Sequence, residues 1–568
     1  MEKIKKIIQS ETFIDISLIV LVMIILTISS GFLAYCFLAD RGREFLFPQA
    51  ILNGLVPYKD ITMAYFPLSY YINAFVYKLF GVSFGSLIIF GACFSTFFMI
   101  IYYLTAKEFL NRKISILLSL FVLLSCVFCM HDLCMYVSPY SYARVYGLIG
   151  GVACLFFLLK LFNTDNIKYA YLAAFFTSFS ISNKIEFAPV IVILIAGLIL
   201  YKKVTLRQCI NILLITMIFP ALTVLLLVLG GVSLSDITEA VKFAISFSST
   251  EAMHGYIVRT GITPVFQPDM IIKGFPPLLI TLLLSLLYCF LDKKFNNNKI
   301  IFASMLLITT LGCYFMKNTQ YYWVELPLFV VLLAIVFFKP IIKDKKMLLF
   351  LIAALILSQR AMFQILLSAH GVYAFPMMIM CAVVIFQNYL SKCFPKFHME
   401  KFIIFFLLVL VGTYSLQQYT RTKYVRFPLE TSKGTIYMTP EKAKIFGNTL
   451  KYIEENIPED AKLLVVPEGP IFNYISGRKI DMHCFMMDKF YHDAYGAEKA
   501  LEILKNADYD YIIVAENFDL FSGGGFEELF TPEGSLCAKY VYANYTKVYQ
   551  EAEDKSPQNI LTIYKKNE

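Results

Sequence analysis

Asp40, Glu44 and Asp60 share one polar stretch, residues 39–83, with Arg41, Arg43 and Lys59. The stretch separates the first two apolar runs long enough to cross a bilayer. Asp40 directly follows the first of these runs, where a helix leaves the hydrocarbon. A carboxylate at that depth can take a proton from a substrate whose tail lies in lipid and whose head meets water. Two further polar segments interrupt apolar sequence. HDLCMYVSPYSYAR, residues 131–144, brings His131, Asp132 and Arg144, and NKIEF, residues 183–187, brings Lys184 and Glu186. Arg360 and His370 complete the set. Ionisable groups within membrane segments usually face a polar cavity and carry function. Each group also has a plainer role open to it. Asp40 could cap a helix, and Asp60 could close an Asx-turn after Pro57-Tyr58-Lys59. Lys184 and Glu186 could form a buried ion pair, Arg360 could bond a carbonyl, and His131 and Asp132 could be ordinary loop residues.

Helices that span a membrane must position these groups. The chain has 568 residues, 58% of them hydrophobic and 16% charged, where soluble domains average about 25% charged. Mean hydropathy is +0.66. Apolar stretches of about 20 residues recur from Ile14 to Leu416, each long enough for a hydrocarbon core of about 30 Å. The class is a polytopic α-helical membrane protein. Spans are expected at 13–38, 84–106, 114–130, 144–162, 169–182, 187–201, 209–230, 270–291, 299–316, 323–338, 347–367, 372–390 and 401–417, about 13 in all. The first run is too long, and too soon followed by others, to be a cleaved signal peptide. Alternate loops are basic, as at Lys107, Arg112 and Lys113, at Lys202, Lys203 and Arg207, and at Lys392, Lys396 and Lys401. The positive-inside rule then puts the N-terminus in the cytoplasm, and an odd number of spans puts the tail outside the cell membrane. The net charge of +9 is spread over these short loops, so topology explains it without a nucleic-acid partner.

Composition changes near Gln417. Residues 1–417 form the transmembrane domain and residues 418–568 a polar, Tyr-rich tail. Thr439-Pro440 starts a predicted helix to Ile457, KLLVVP (462–467) reads as a buried strand, 497–506 as a helix, and 509–515 and 559–564 as strands. This alternation predicts a small α/β extracytoplasmic domain. Of thirteen cysteines, only Cys484 and Cys537 fall in the tail, and no spacing supports a disulfide. Asp481, His483, Asp488, His492 and Asp493 have metal-ligand chemistry, but Asp488 and His492 at i, i+4 read first as a helix-surface pair.

The first loop also carries NG-x-x-PY-x-D (53–60), then FPLSYY (66–71), and closes on KLFG (78–81). This pattern resembles the first external loop of GT-C glycosyltransferases, in particular the protein mannosyltransferase and aminoarabinose transferase group and its bacterial relatives. The tail segment NYISGRKI (473–480) is similar to C-terminal domains of bacterial members. The resemblance implies a GT-C-like membrane domain that moves a sugar from a polyprenyl-phosphate donor to a lipid or glycan acceptor of the cell envelope, with inversion. It maps the essential acid onto Asp40 and the second acid onto Asp132. Sugar transfer needs a general base for the acceptor hydroxyl and cations for the leaving phosphate. Arg144, Lys184 and Arg360 suit the phosphate, while Glu44, Asp60, Glu186 and His370 are the remaining expected substrate contacts. A divalent metal beside Asp132 and His131 could share the phosphate's charge, but the residues assign no metal and no cofactor. Where some members of the group carry a lysine before the loop proline, this chain has Tyr65-Phe66 before Pro67. A transporter or flippase for lipid-linked sugars is the competing class, and it would show paired repeats with broken helices, which the sequence lacks. A non-enzymatic envelope assembly protein is the third class, and the acid-rich first loop argues against it.

Overall fold

The protein is described from a computed structural model, which covers residues 10–34, 38–63, 65–128, 135–251, 254, 268–296, 298–316, 326–359, 375–516, 535–552 and 560–568. Among these residues, six helices are long and apolar enough to cross a membrane: Glu11–Gly31, Phe84–Ala106, Tyr142–Thr164, Leu206–Leu229, Phe375–Cys393 and Met399–Tyr424. Shorter apolar helices lie between them, among them Ile185–Tyr201 and Lys299–Phe315.

The first span starts as α1 (Glu11–Leu26), capped by the Ser10 side chain on Phe13 N–H. Two short helices follow in the 39–83 stretch, α2 (Asp40–Leu52) and α3 (Leu68–Phe80). α4 (Phe84–Ala106) then re-enters the bundle from its Ser83 cap. α5 (Arg112–Val122) and α6 (Tyr142–Thr164) complete the core next to the site. α6 is the central helix, with most of its span buried inside the protein. Glycine allows that position: a Cβ on Gly147 would stand 2.1 Å from the Phe187 ring. Small residues at helix contacts let backbones approach closely where lipid supplies no hydrophobic drive. α7 (Lys168–Ile181) and α8 (Val190–Tyr201) pack beside α6 and flank the NKIEF turn.

Residues 39–83 read from sequence as a polar loop between two spans. α2 is instead enclosed on most sides, with Asp40, Arg41, Glu44, Phe45 and Phe47 all buried. The tail domain covers it. The apolar block 209–230 forms α9 (Leu206–Thr216) and α10 (Ile218–Leu229), joined at Met217. α11 (Leu234–Ser249) lies in what reads as loop; a reciprocal capping box between Ser233 and Asp236 starts it.

Further along are α12 (Pro268–Lys294), α13 (Lys299–Phe315), α14 (Leu326–Val336), α15 (Lys345–Leu357), α16 (Phe375–Ile385) and α17 (Met399–Tyr424). α17 passes the compositional boundary at Gln417 by two turns and leads straight into the hairpin β1 (Phe427–Thr431) and β2 (Gly434–Met438). The rest of the described tail mixes helices and strands. α18 (Pro440–Asn456) has Thr439 at its N-cap and proline in its first turn. The strands β3 (Leu463–Val466), β4 (Tyr511–Glu516), β5 (Tyr545–Ala552) and β6 (Ile560–Lys566) form one sheet in the order β3-β4-β6-β5. Only the β3–β4 pair is parallel. The helices α19 (Ile471–Ser476), α20 (Lys489–Tyr495), α21 (Ala497–Ala507) and α22 (Leu536–Asn544) complete the domain. Cys484 and Cys537 are both free and buried.

Candidate active site

Asp40 is the first residue of α2, where the helix dipole favours a negative charge. Its side chain is 90% buried and pairs with Arg43 one turn along. Arg43 reaches a second carboxylate, with Nε 2.8 Å from Glu468 Oε1. Glu468 comes from the tail domain, in the loop leaving β3. The helix that follows the first span and the tail segment therefore share one buried ionic cluster. Asp488 belongs to the same cluster electrostatically, since both Arg43 and Asp40 act on its carboxyl. Burial pushes Asp488 up to about 6 against the pull of its hydrogen bond from Tyr491 N–H and of Arg43. Burial also raises Glu468 well above the usual carboxylate range, with Arg43 opposing. Two carboxylates thus pair with one guanidinium, and a third lies within its electrostatic reach.

The close fit of the two parts has a backbone cause. A Cβ on Gly42 would lie 2.8 Å from the backbone nitrogen of Ile471, so α2 and α19 meet there with no room for a side chain. Phe45 stacks on Tyr474 at 5.4 Å beside that contact, and Phe47 meets Phe485 edge-on at 5.1 Å.

A second ionic group lies on α6 and the NKIEF turn. Arg144 grips Glu186 in a fork, Nε to Oε1 at 2.8 Å and Nη2 to Oε2 at 3.3 Å. Lys184 Nζ stands 3.8 Å from Glu186 Oε2. It also sits over the Tyr65 ring, 5.3 Å from its centre. Tyr65 is near both groups: its ring lies under Lys184, and its phenol is within electrostatic reach of Arg43, Asp40, Arg144 and Glu468. Gln359 donates to the Glu186 backbone carbonyl and closes that side.

The remaining expected residues divide. Glu44 is 3% exposed, and both its oxygens are engaged. Oε2 accepts from Tyr142 N–H at 3.0 Å, which caps the start of α6, and Oε1 accepts from Tyr70 Oη at 3.1 Å. Burial raises it to about 7. Asp60 accepts from Val56 N–H at 2.8 Å, four residues back in the chain, which is not the Asx-turn bond. Asp132, with His131, and Arg360 and His370 lie outside the described residues. Of the tail cluster, Asp488 caps α20, Asp481 accepts from His483 N–H at 2.8 Å, and the His483 ring meets Thr62 Oγ1 at 3.0 Å. Among the described residues no group of three or more metal-ligand side chains comes together.

Sequence reasoning did not select Arg43, Tyr65 or Glu468, nor did it place Asp488 beside Asp40. One signal was present for Glu468. It follows the carboxyl end of a strand that pairs in parallel, where α/β domains place their ligand-facing loops.

No protein-family profile matches the chain, and no curated protein matches it. Solved structures do. The chain is similar to the oligosaccharyltransferase of Archaeoglobus fulgidus in its apo form, with TM-score 0.50 and 12% identity over 89% of this chain and 69% of that one. It is also similar to AglB of the same organism in complex with an inhibitory peptide and a dolichol-phosphate, with TM-score 0.49 and 12% identity over 90% and 70%. A third is ArnT of Cupriavidus metallidurans bound to undecaprenyl phosphate, with TM-score 0.46 and 9% identity over 96% and 97%. The first of these, at 12% identity, shows a shared fold and nothing further about this chain.

Proposed function

We propose that a protein of this fold, with an acid at the first helix after its first span, is a membrane glycosyltransferase. It moves a sugar from a polyprenyl-phosphate carrier to a lipid or glycan acceptor of the cell envelope, on the external face. The observation that supports this reading is the buried cluster of Asp40, Arg43 and Glu468, with Tyr65 beside a second group in which Arg144 and Lys184 share the single carboxylate of Glu186 and so keep one net positive charge. In the proposed step Asp40 takes the acceptor hydroxyl's proton. The acceptor oxygen bonds the anomeric carbon, and the bond from that carbon to the phosphate oxygen breaks. The electron pair leaves with polyprenyl phosphate, whose charge Arg144 and Lys184 offset. A single displacement inverts the anomeric centre. Asp132 as second acid, Arg360 as a further phosphate contact, and Glu44, Asp60, Glu186 and His370 as groups shaping the sugar pocket belong to the same proposal. So do about 13 spans, a cytoplasmic N-terminus and an external tail domain.

A divalent cation beside Asp132 and His131, which lie outside the described residues, belongs to the same proposal. No step is routed through a metal.

The test uses purified protein in lipid, given either a polyprenyl-phosphate sugar or a nucleotide sugar with an envelope-lipid acceptor fraction. The expected result is release of polyprenyl phosphate and transfer from the first donor. Transfer from the nucleotide sugar alone overturns the reading, and movement of the lipid-linked sugar across the bilayer without transfer replaces it with a transporter.

A further inference from the structure

At the opposite, basic end of the spans lies a cavity of about 590 Å³ with a different chemistry. It opens between the last turns of α12 and the segment that joins α16 to α17. Phe290, Phe394 and Phe397 supply an apolar wall, and Lys293, Lys396 and His398 supply the polar rim. Phe290 and Phe394 are 64% and 54% exposed, so the wall faces the surroundings of the spans. Among the described residues, no ion pair is formed by Lys293, Lys396 or His398. The nearby carboxylate of Asp292 is taken by Lys401 at 2.8 Å. The cavity is held by packed structure: Tyr288 stacks on Phe405 with ring centres 4.1 Å apart, and the Asp292–Lys401 pair joins the same two helices a turn further on.

We infer that this cavity binds the phosphate headgroup of an anionic membrane phospholipid, with an acyl chain against its phenylalanine wall. Charge complementarity selects the occupant. Two lysines that pair with no carboxylate among the described residues sit at the end of membrane-length apolar sequence, where a phospholipid phosphate lies, and basic pockets between transmembrane helices suit such headgroups. The apolar wall distinguishes a lipid from a free anion, because inorganic phosphate has nothing to place there. The bound lipid would staple α12 to α17, the helix that carries the tail domain. This inference does not depend on the proposed transfer reaction.

The full-length protein in detergent is titrated with dioctanoyl phosphatidylglycerol, dioctanoyl phosphatidylcholine or inorganic phosphate, and its thermal midpoint is followed. The phosphatidylglycerol should raise the midpoint saturably, while the other two should leave it in place. The double variant Lys293→Glu/Lys396→Glu should bind phosphatidylglycerol at least about tenfold more weakly, since each lysine near an anionic headgroup contributes severalfold. Both side chains are exposed, so folding should survive, and Lys293→Gln/Lys396→Gln gives a milder loss if reversal proves harmful. Lys202→Glu, a lysine at another basic loop, should bind like the parent. An equal response to phosphatidylcholine or phosphate, an unchanged affinity in both double variants, or an equal loss in Lys202→Glu overturns the assignment.

Discussion

Asp40 joins a hydrogen-bonded ion pair at a helix start, and those contacts decide what its removal costs. Asn in its place keeps the shape and loses the basicity. Arg43 still has Glu468 at 2.8 Å, so the cluster stays partly neutralised. Asp40→Asn should insert and fold like the parent and lose transfer by about 10²–10⁴-fold, the usual contribution of a general base. Asp60→Asn, at a turn, should lose far less. Turnover assays on both variants decide it; near-normal transfer by Asp40→Asn would move the base to Asp132. Asp488 makes a separate prediction about pH. Its folded carboxyl binds protons more tightly than an unfolded one, titrating at about 6 instead of the ordinary value of 3.8. Stability from this group is therefore full below about pH 4 and lost as pH rises to about 6. Asn caps a helix as well as Asp does, so Asp488→Asn should retain α20 and shed the cost of the buried charge. Its thermal midpoint relative to the parent should climb between pH 4 and pH 7 and level off above. A constant difference across that range would place the titration elsewhere.

Elements explain which of these features could be read in advance. α4 matches its expected bounds, 84–106, because Ser83 caps it and the apolar run is unbroken. α18 matches within a residue through its Thr-Pro start. α11 did not stand out, since its polar Ser233–Asp236 start and modest length carry no membrane signature. Yet it buttresses the tail domain: Phe243 stacks on Tyr495 at 5.1 Å, and Ser246 Oγ donates to the Ala494 carbonyl at 2.8 Å. Asp40 was legible because local sequence marks a helix leaving lipid. Glu468 was not, because its partner lies more than 400 residues away in the chain and no local pattern encodes a contact at that separation. The α2–α19 contact shows the same limit, for Gly42 reads as an ordinary loop glycine. Gly42→Ala should push α2 off Ile471 and cost about 1–3 kcal/mol, as overpacking does. A lowered thermal midpoint together with reduced transfer is the expected outcome, and an unchanged midpoint would show that the two backbones can separate freely.

The whole molecule is arranged so that the ionic cluster forms only where tail and membrane domain meet. That arrangement requires the tail and the first loop to share one side of the bilayer, and the alternation of basic loops is the ground for proposing that this side is external. A reporter active only in the cytoplasm, fused after Glu568, should therefore be silent, and an active fusion would reverse the proposed orientation. The tail is held at several separate places. α17 runs unbroken for 26 residues, about 39 Å, into β1. β2 adds main-chain bonds to the end of the first span, Ala34 N–H to the Tyr437 carbonyl at 2.7 Å and Tyr437 N–H to the Phe32 carbonyl at 3.0 Å. Thr62 N–H donates to the Met482 carbonyl at 3.1 Å. A soluble domain on a single tether would melt by itself, at its own temperature. Here heat must break backbone bonding, glycine-close packing and a buried ion pair before either part can let go. Calorimetry in detergent should record one endotherm, with the calorimetric and van't Hoff enthalpies in agreement. The tail would then owe its persistence to the membrane helices as much as to its own small sheet.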